Sequence, residues 1–181
     1  MVQTTIKEPK QWLSPIQALN RFSLSKLTTT KSLPSVVNPQ LRYGFRIGSI
    51  GLLIQPSTLS EVLERASVFP IPNTVEWLKG LINLRGNLVP LFDLKPLLEM
   101  GEKGRVKTMI LILDEGDRAV GIKIEGLPQT PELTRRLQRL PPLPAILRDF
   151  ATAAYVKEGL IWLEFDHRGF FEALANRLAA S

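Results

Sequence analysis

The sequence predicts a mainly β protein of the barrel or sandwich class. Four segments read as hairpins of short strands, each with turn residues at its tip. In the first of them, alternation gathers large apolar residues on one sheet face. An amphipathic helix closes the chain.

Residues 1–40 stand apart. They are rich in Ser, Thr, Lys and Pro, and Glu8 is the only acid before Glu61. This composition reads as a flexible basic N-terminal extension. Transit peptides share it. Within it, Trp12, Ile16, Leu19 and Phe22 fall near helical spacing, so a short docking helix is a second reading.

From Leu41 the texture changes. In "YGFRIGSIGLLI" a two-residue Gly48-Ser49 turn sets Ile47 opposite Ile50, Phe45 opposite Leu52 and Tyr43 opposite Ile54. "PSTLSEVLE" follows as a helical turn and then a strand. "WLKGLINLRGNLVPLFDL" is the second hairpin. With Gly86-Asn87 as its turn, Leu84 opposes Val89 and Ile82 opposes Leu91, a fully apolar face. The other face carries Leu81, Asn83, Arg85, Leu88, Pro90 and Phe92. Pro90 has no N–H to donate, which predicts an edge strand or a bulge there.

"DLKPLLEMG" reads as a short helix ended by Gly101. "VKTMILILDEGDRAVGIKIEGL" is a third hairpin turning at "DEGD". The proline-rich "LPQTPELTRRLQRLPPLPAILRDF" is irregular, with Leu133, Leu137 and Leu140 spaced as one helical face before Pro141. "TAAYVKEGLIWLEFD" is the fourth hairpin, and "HRGFFEALANRLAA" the closing helix. "LFDLKPLLEM" and "EFDHRGFFEAL" echo each other as strand, Phe-Asp and helix. Asp93 and Asp166 are therefore expected to cap those helices.

Composition narrows the function. Hydrophobic residues make up 44% and charged residues 22%, the balance of a soluble globular protein. No apolar run approaches the roughly 20 residues of a membrane helix. Cysteine is absent, which removes disulfides, thiolate metal sites and a cysteine nucleophile. His167 is the only histidine, expected to cap or lie on the surface rather than act as a general base. No phosphate-cradling loop, dinucleotide fingerprint or nucleophile elbow is present. The reading is a non-enzymatic protein without cofactor or metal. The net charge of +6 invites nucleic acid, but aromatics do not interleave with the basic residues as a stacking platform requires.

"LKGLINLRG" and "LVPLFDL" resemble the signature of the CheW family of chemotaxis coupling proteins. Around them, "YGFRIGSIGLLIQPSTLSEVLE" resembles that family's opening hairpin and following strand. "MILILDEGDRAVGIKIEGL" resembles the strands that open its second half. The resemblance covers about residues 41–178. It implies two small five-stranded β-barrels on a shared core, over roughly 41–104 and 105–165, with a C-terminal helix at 167–180. It implies an adaptor that joins the cytoplasmic tip of chemoreceptors to the regulatory domain of a CheA-type histidine kinase. Such an adaptor is cytoplasmic, works beside membrane-bound receptor arrays and needs no membrane insertion. Flagellar, type IV pilus and phototaxis pathways all use relatives.

Position by position, the resemblance marks Arg85 as the motif arginine of receptor and kinase coupling. Lys79 and Gly80 precede it on the binding surface, and Leu59 and Glu61 form the apolar–acidic pair of an interaction strand. Asn83 and Gly86 read as structural. Departures are Ile124-Glu125, where the family often has Val-Asp, and Asn87, where an apolar residue is common. Two rival readings stand beside the adaptor: a small-barrel nucleic-acid binder, and a CheW-like subunit of another two-component complex. Arg85 itself reads two ways, as an interface anchor or as a local tie to a carboxylate or carbonyl.

Overall fold

A computed structural model describes residues 42–101, 106–133 and 135–180. The readings made for the N-terminal extension lie outside them. The described chain is mainly β, with two sheets, short helices and a C-terminal helix.

The hairpin β1 (Gly44–Ile47) and β2 (Ile50–Leu53) has the register read from the sequence: Phe45 faces Leu52 and Ile47 faces Ile50. Those four side chains are buried. Tyr43 and Ile54 extend the pairing through a backbone hydrogen bond of 2.8 Å. A hydrogen-bonded turn rather than a helical one, Thr58 N–H to Gln55 O at 3.3 Å, leads into β3 (Ser60–Leu63). Next come β4 (Val68–Phe69), β5 (Leu78–Leu84) and β6 (Asn87–Phe92). Helix α1 (Leu94–Leu97) is followed by β7 (Thr108–Leu113) and β8 (Val120–Glu125). The two-residue β9 (Arg135–Arg136), helix α2 (Ala145–Arg148), β10 (Ala151–Lys157), β11 (Leu160–Phe165) and helix α3 (His167–Ala179) complete the chain.

The sheets do not follow chain order. One has five strands ordered β1-β2-β11-β10-β9, with β2 parallel to β11. The other has six strands ordered β3-β7-β8-β6-β5-β4, one more than the resemblance implied. Phe45, Leu52, Leu111, Ile122, Leu163 and Phe170 belong to one shared apolar core drawn from both sheets and α3. A second, smaller cluster, Ile82, Val89, Leu91, Ile110, Ile112 and Ala119, is drawn from the six-stranded sheet and its β7–β8 turn. Such an interior requires that sheet to curl.

Four expectations need correction. The second hairpin turns at Arg85-Gly86, not Gly86-Asn87: Leu84 pairs with Asn87 and Ile82 with Val89. Arg85 has φ +52° and Gly86 φ +91°, the pair of positive values a type I′ turn requires. The Asn83 side chain accepts the Gly86 N–H at 2.8 Å, which fixes that turn. A turn moved by one residue changes the partners but keeps each side chain on its face, so the apolar face survives. Pro90, second, lies on an interior strand. Its neighbour β8 begins pairing only at Leu91, so no ladder bond is asked of the proline there. Third, Leu137 follows an edge strand instead of sitting in a helix, because its N–H bonds to Ala154 O at 2.8 Å.

The fourth concerns His167, which is 1% exposed instead of superficial. The caps are as read: Asp93 accepts the Lys95 N–H at 3.3 Å and Asp166 the Gly169 N–H at 3.2 Å. Where Ile124-Glu125 departs from the family pattern, Ile124 is buried and Glu125 pairs with Lys95 of α1 at 2.7 Å.

Candidate protein-docking surface

Arg85 is held out by its turn, with a side chain 73% exposed. Its guanidinium donates two hydrogen bonds of 2.8 Å to the Glu61 carboxylate on β3. In a flat sheet β3 and β6 would stand three strand spacings apart, roughly 14 Å. The contact exists because the sheet curls and brings its β3 edge round to the β5–β6 turn. A planar two-bond fork of this kind is specific to arginine. Between exposed groups it contributes only about 0.2–1 kcal/mol. A partner's carboxylate or backbone carbonyl can therefore displace Glu61 at small cost.

Leu59 lies beside the pair and is 56% exposed. Leu59, Glu61, Leu84 and Arg85 line one cleft of about 370 Å³. The structure thus brings together three of the five expected positions. Lys79 and Gly80 are at the far end of β5, roughly 16–20 Å from Arg85 at strand rise. Gly80 is buried at a β5 bulge with φ +134°, and a Cβ there would sit 2.2 Å from Phe69 O. It admits β4 closely and presents no side-chain surface of its own. Phe92, read on the same strand face as Arg85, is buried and stacks on Trp77 at 6.0 Å and against Phe171 at 4.8 Å.

A second concave surface was not legible from the sequence. Leu88, Pro90 and Phe92 of β6, Val120 of β8, and Phe171 and Ala175 of α3 line a groove of about 440 Å³. Leu88 is 65% exposed at its mouth. Charged side chains ring it, with Asp117 and Arg118 on the β7–β8 turn and Arg168 and Glu172 on α3. An apolar floor inside a polar rim suits an amphipathic helix.

Asp114 stands between the two clefts and lines both. Its side chain is 7% exposed. The carboxylate accepts bonds from Arg168 at 2.6 and 3.0 Å and meets His167 Nε2 at 2.9 Å. Its backbone N–H bonds to Leu59 O at 2.9 Å. Arg168 above all, then His167, holds the Asp114 carboxyl down from the usual 3.8 to about 2, against the opposing effect of burial. Its φ of +59° is one that Asp tolerates better than most residues, which accounts for an aspartate in this turn. Its partners lie more than fifty residues away, beyond what spacing can reveal.

Residues 43–175 match the model of the CheW-like domain. The chain belongs to the CheW-like family. It is 29% identical over 140 residues to protein PilI of Pseudomonas aeruginosa, covering 71% of this chain and 77% of that protein. It is 30% identical over 109 residues to the chemotaxis protein CheW of Klebsiella aerogenes, covering 60% and 64%. The crystal structure of the scaffolding protein TtCheW from Thermoanaerobacter tengcongensis superposes with a TM-score of 0.54 at 21% identity, over 72% of this chain and 91% of that one. That likeness carries the fold. A CheW-like domain is a scaffold, so the chain is a non-enzymatic adaptor of chemotaxis or pilus signalling. No described helix is long and apolar enough to cross a membrane.

Proposed function

We propose that this CheW-like chain couples chemoreceptors to a CheA-type histidine kinase through two separate surfaces. The cleft of Leu59, Glu61 and Arg85 receives the kinase's regulatory domain. The groove between β6, the β7–β8 turn and α3 receives the helical tip of a receptor. The chain works in the cytoplasm beside membrane-bound receptors and serves pilus-driven, phototactic or flagellar movement.

The observation that carries this reading is the exposed Arg85 fork, held out by an I′ turn next to the exposed apolar Leu59. A guanidinium with adjacent apolar area is the usual composition of an interface anchor. Both readings of Arg85 have a place here: in the free protein it ties Glu61, and in the complex it exchanges that tie for one on the partner.

Calorimetric titration of the kinase regulatory domain, and separately of a receptor-tip helical hairpin, tests the assignment. Arg85→Ala weakens kinase binding and spares the receptor tip. Leu88→Asp does the reverse. Equal loss at both partners from either variant contradicts two distinct surfaces.

A further inference from the structure

We infer that the free edge of β9 is a docking strand for an extended acidic segment of a protein partner. Among the described residues β9 is the last strand of the five-stranded sheet and pairs only with β10, as Arg136↔Tyr155 and Arg135↔Val156. The next residue, Leu137, donates its N–H to Ala154 O at 2.8 Å. Hydrogen-bonded and non-bonded pairs alternate along an antiparallel ladder. Arg136, one step before Leu137, therefore turns its own N–H and C=O away from β10, toward solvent. That is the template an added strand uses.

The side chains define the partner. Arg135, Arg136 and Arg139 are exposed, and among the described residues none has an ion-pair partner. From Leu133 to Arg148 the sequence holds no acid. Beside the edge runs a cleft of about 510 Å³ lined by Arg136, Leu137, Arg139, Leu140, Thr152 and Ala153. It offers guanidinium groups at the rim and apolar area between them.

Geometry selects among anionic occupants. Successive residues of a strand point to opposite faces, so Arg135 and Arg136 lie on opposite sides of the sheet. A flat lipid surface or a nucleic-acid backbone lying along one face reaches only one of them. An added strand presents its own side chains alternately to both faces and reaches both. The first 40 residues of the chain hold Lys7, Lys10, Arg21, Lys26 and Lys31 against Glu8, a poor charge match for an arginine-bearing edge. A second copy of β9 would set arginine against arginine, which is repulsive.

The probe is a fluorescein-labelled nonapeptide in which Glu-Glu and Val-Val pairs alternate, so that a strand of it carries acids on both faces, titrated by anisotropy onto the full chain. Its comparison has the same charge but proline at alternate valines, so it cannot form a ladder. A single-stranded oligonucleotide and phosphatidylserine vesicles complete the set. The alternating peptide is expected to bind at least tenfold tighter than the proline peptide, the oligonucleotide and the vesicles. Arg135→Ser with Arg136→Ser is expected to weaken it at least tenfold, and hydrogen exchange at the Arg136 amide to slow in the complex. Equal binding of the proline peptide, tighter binding of nucleic acid or vesicles, no binding at all, or an unprotected Arg136 amide each overturns the proposal.

Discussion

Replacing Asp114 by asparagine should destabilise the domain by about 1–2 kcal/mol near pH 7, since each of its charge-assisted bonds contributes about 1.5–3 kcal/mol and the amide keeps part of them. The carboxylate is 7% exposed and holds Arg168 through one bond to each oxygen, with His167 on the oxygen that Arg168 Nε also reaches. Asparagine keeps a short polar side chain that tolerates φ +59° and can still accept one bond, but it removes the charge. Asp114→Ala should cost more, about 2–4 kcal/mol, by stranding a histidine that is 1% exposed and placing alanine in the left-handed region. The upper value falls short of a fully buried pair because Arg168 is half exposed and water screens it.

The pH dependence identifies the cause. The folded Asp114 carboxyl titrates near 2 rather than 3.8, so the unfolded chain takes up its proton first as acid is added. The stabilisation is complete above about pH 5 and falls away between about pH 4 and 2. Urea unfolding followed by circular dichroism at several pH values provides the comparison. The gap between parent and Asp114→Asn should shrink over that interval. An asparagine variant as stable as the parent at pH 7, or a gap of constant size from pH 5 to 2, would refute the argument.

Gly80→Ala should destabilise by about 2–4 kcal/mol, combining a strained positive φ with overpacking against the Phe69 carbonyl; an unchanged urea midpoint would sink that reading. In the free protein, a double-mutant cycle of Glu61→Ala and Arg85→Ala should give a coupling below about 1 kcal/mol, as for exposed pairs, and a larger value would make Arg85 a structural clamp. Leu88→Asp should weaken receptor-tip binding at least tenfold, about 1.4 kcal/mol, while leaving the urea midpoint near the parent's because Leu88 is exposed. A fall in stability with binding intact would remove the groove from the account.

Local chemistry was legible in the sequence, and long-range geometry was not. The first hairpin could be read residue by residue because Gly48-Ser49 and the alternation of Phe45, Ile47, Ile50 and Leu52 agree on one register. The second kept its faces but lost its turn by one residue, since Asn83 capping Gly86 is a side-chain interaction that periodicity does not report. Both aspartate caps stand one residue before helices that start after a Phe-Asp pair. By contrast, nothing in spacing says that β2 runs parallel to β11, or that β3 curls round to the β5–β6 turn. Those arrangements bring Arg85 to Glu61 and assemble the groove. His167 was misjudged for the same reason: its partner, Asp114, is close only after the fold has formed.

Reversing the charges of the Glu61–Arg85 cleft tests whether that cleft docks the kinase. Arg85→Glu and Glu61→Arg, singly and together, leave two exposed positions and should barely move stability. Titrating each variant with the regulatory domain of a CheA-type kinase should show Arg85→Glu weakening binding by about 2 kcal/mol or more, roughly thirtyfold, because an interface anchor becomes a repelling charge. The double reversal should restore the internal pair without restoring affinity, since the partner meets the arginine at its original position. Parent-like affinity for Arg85→Glu in a normally folded protein would place the kinase elsewhere and contradict the claim.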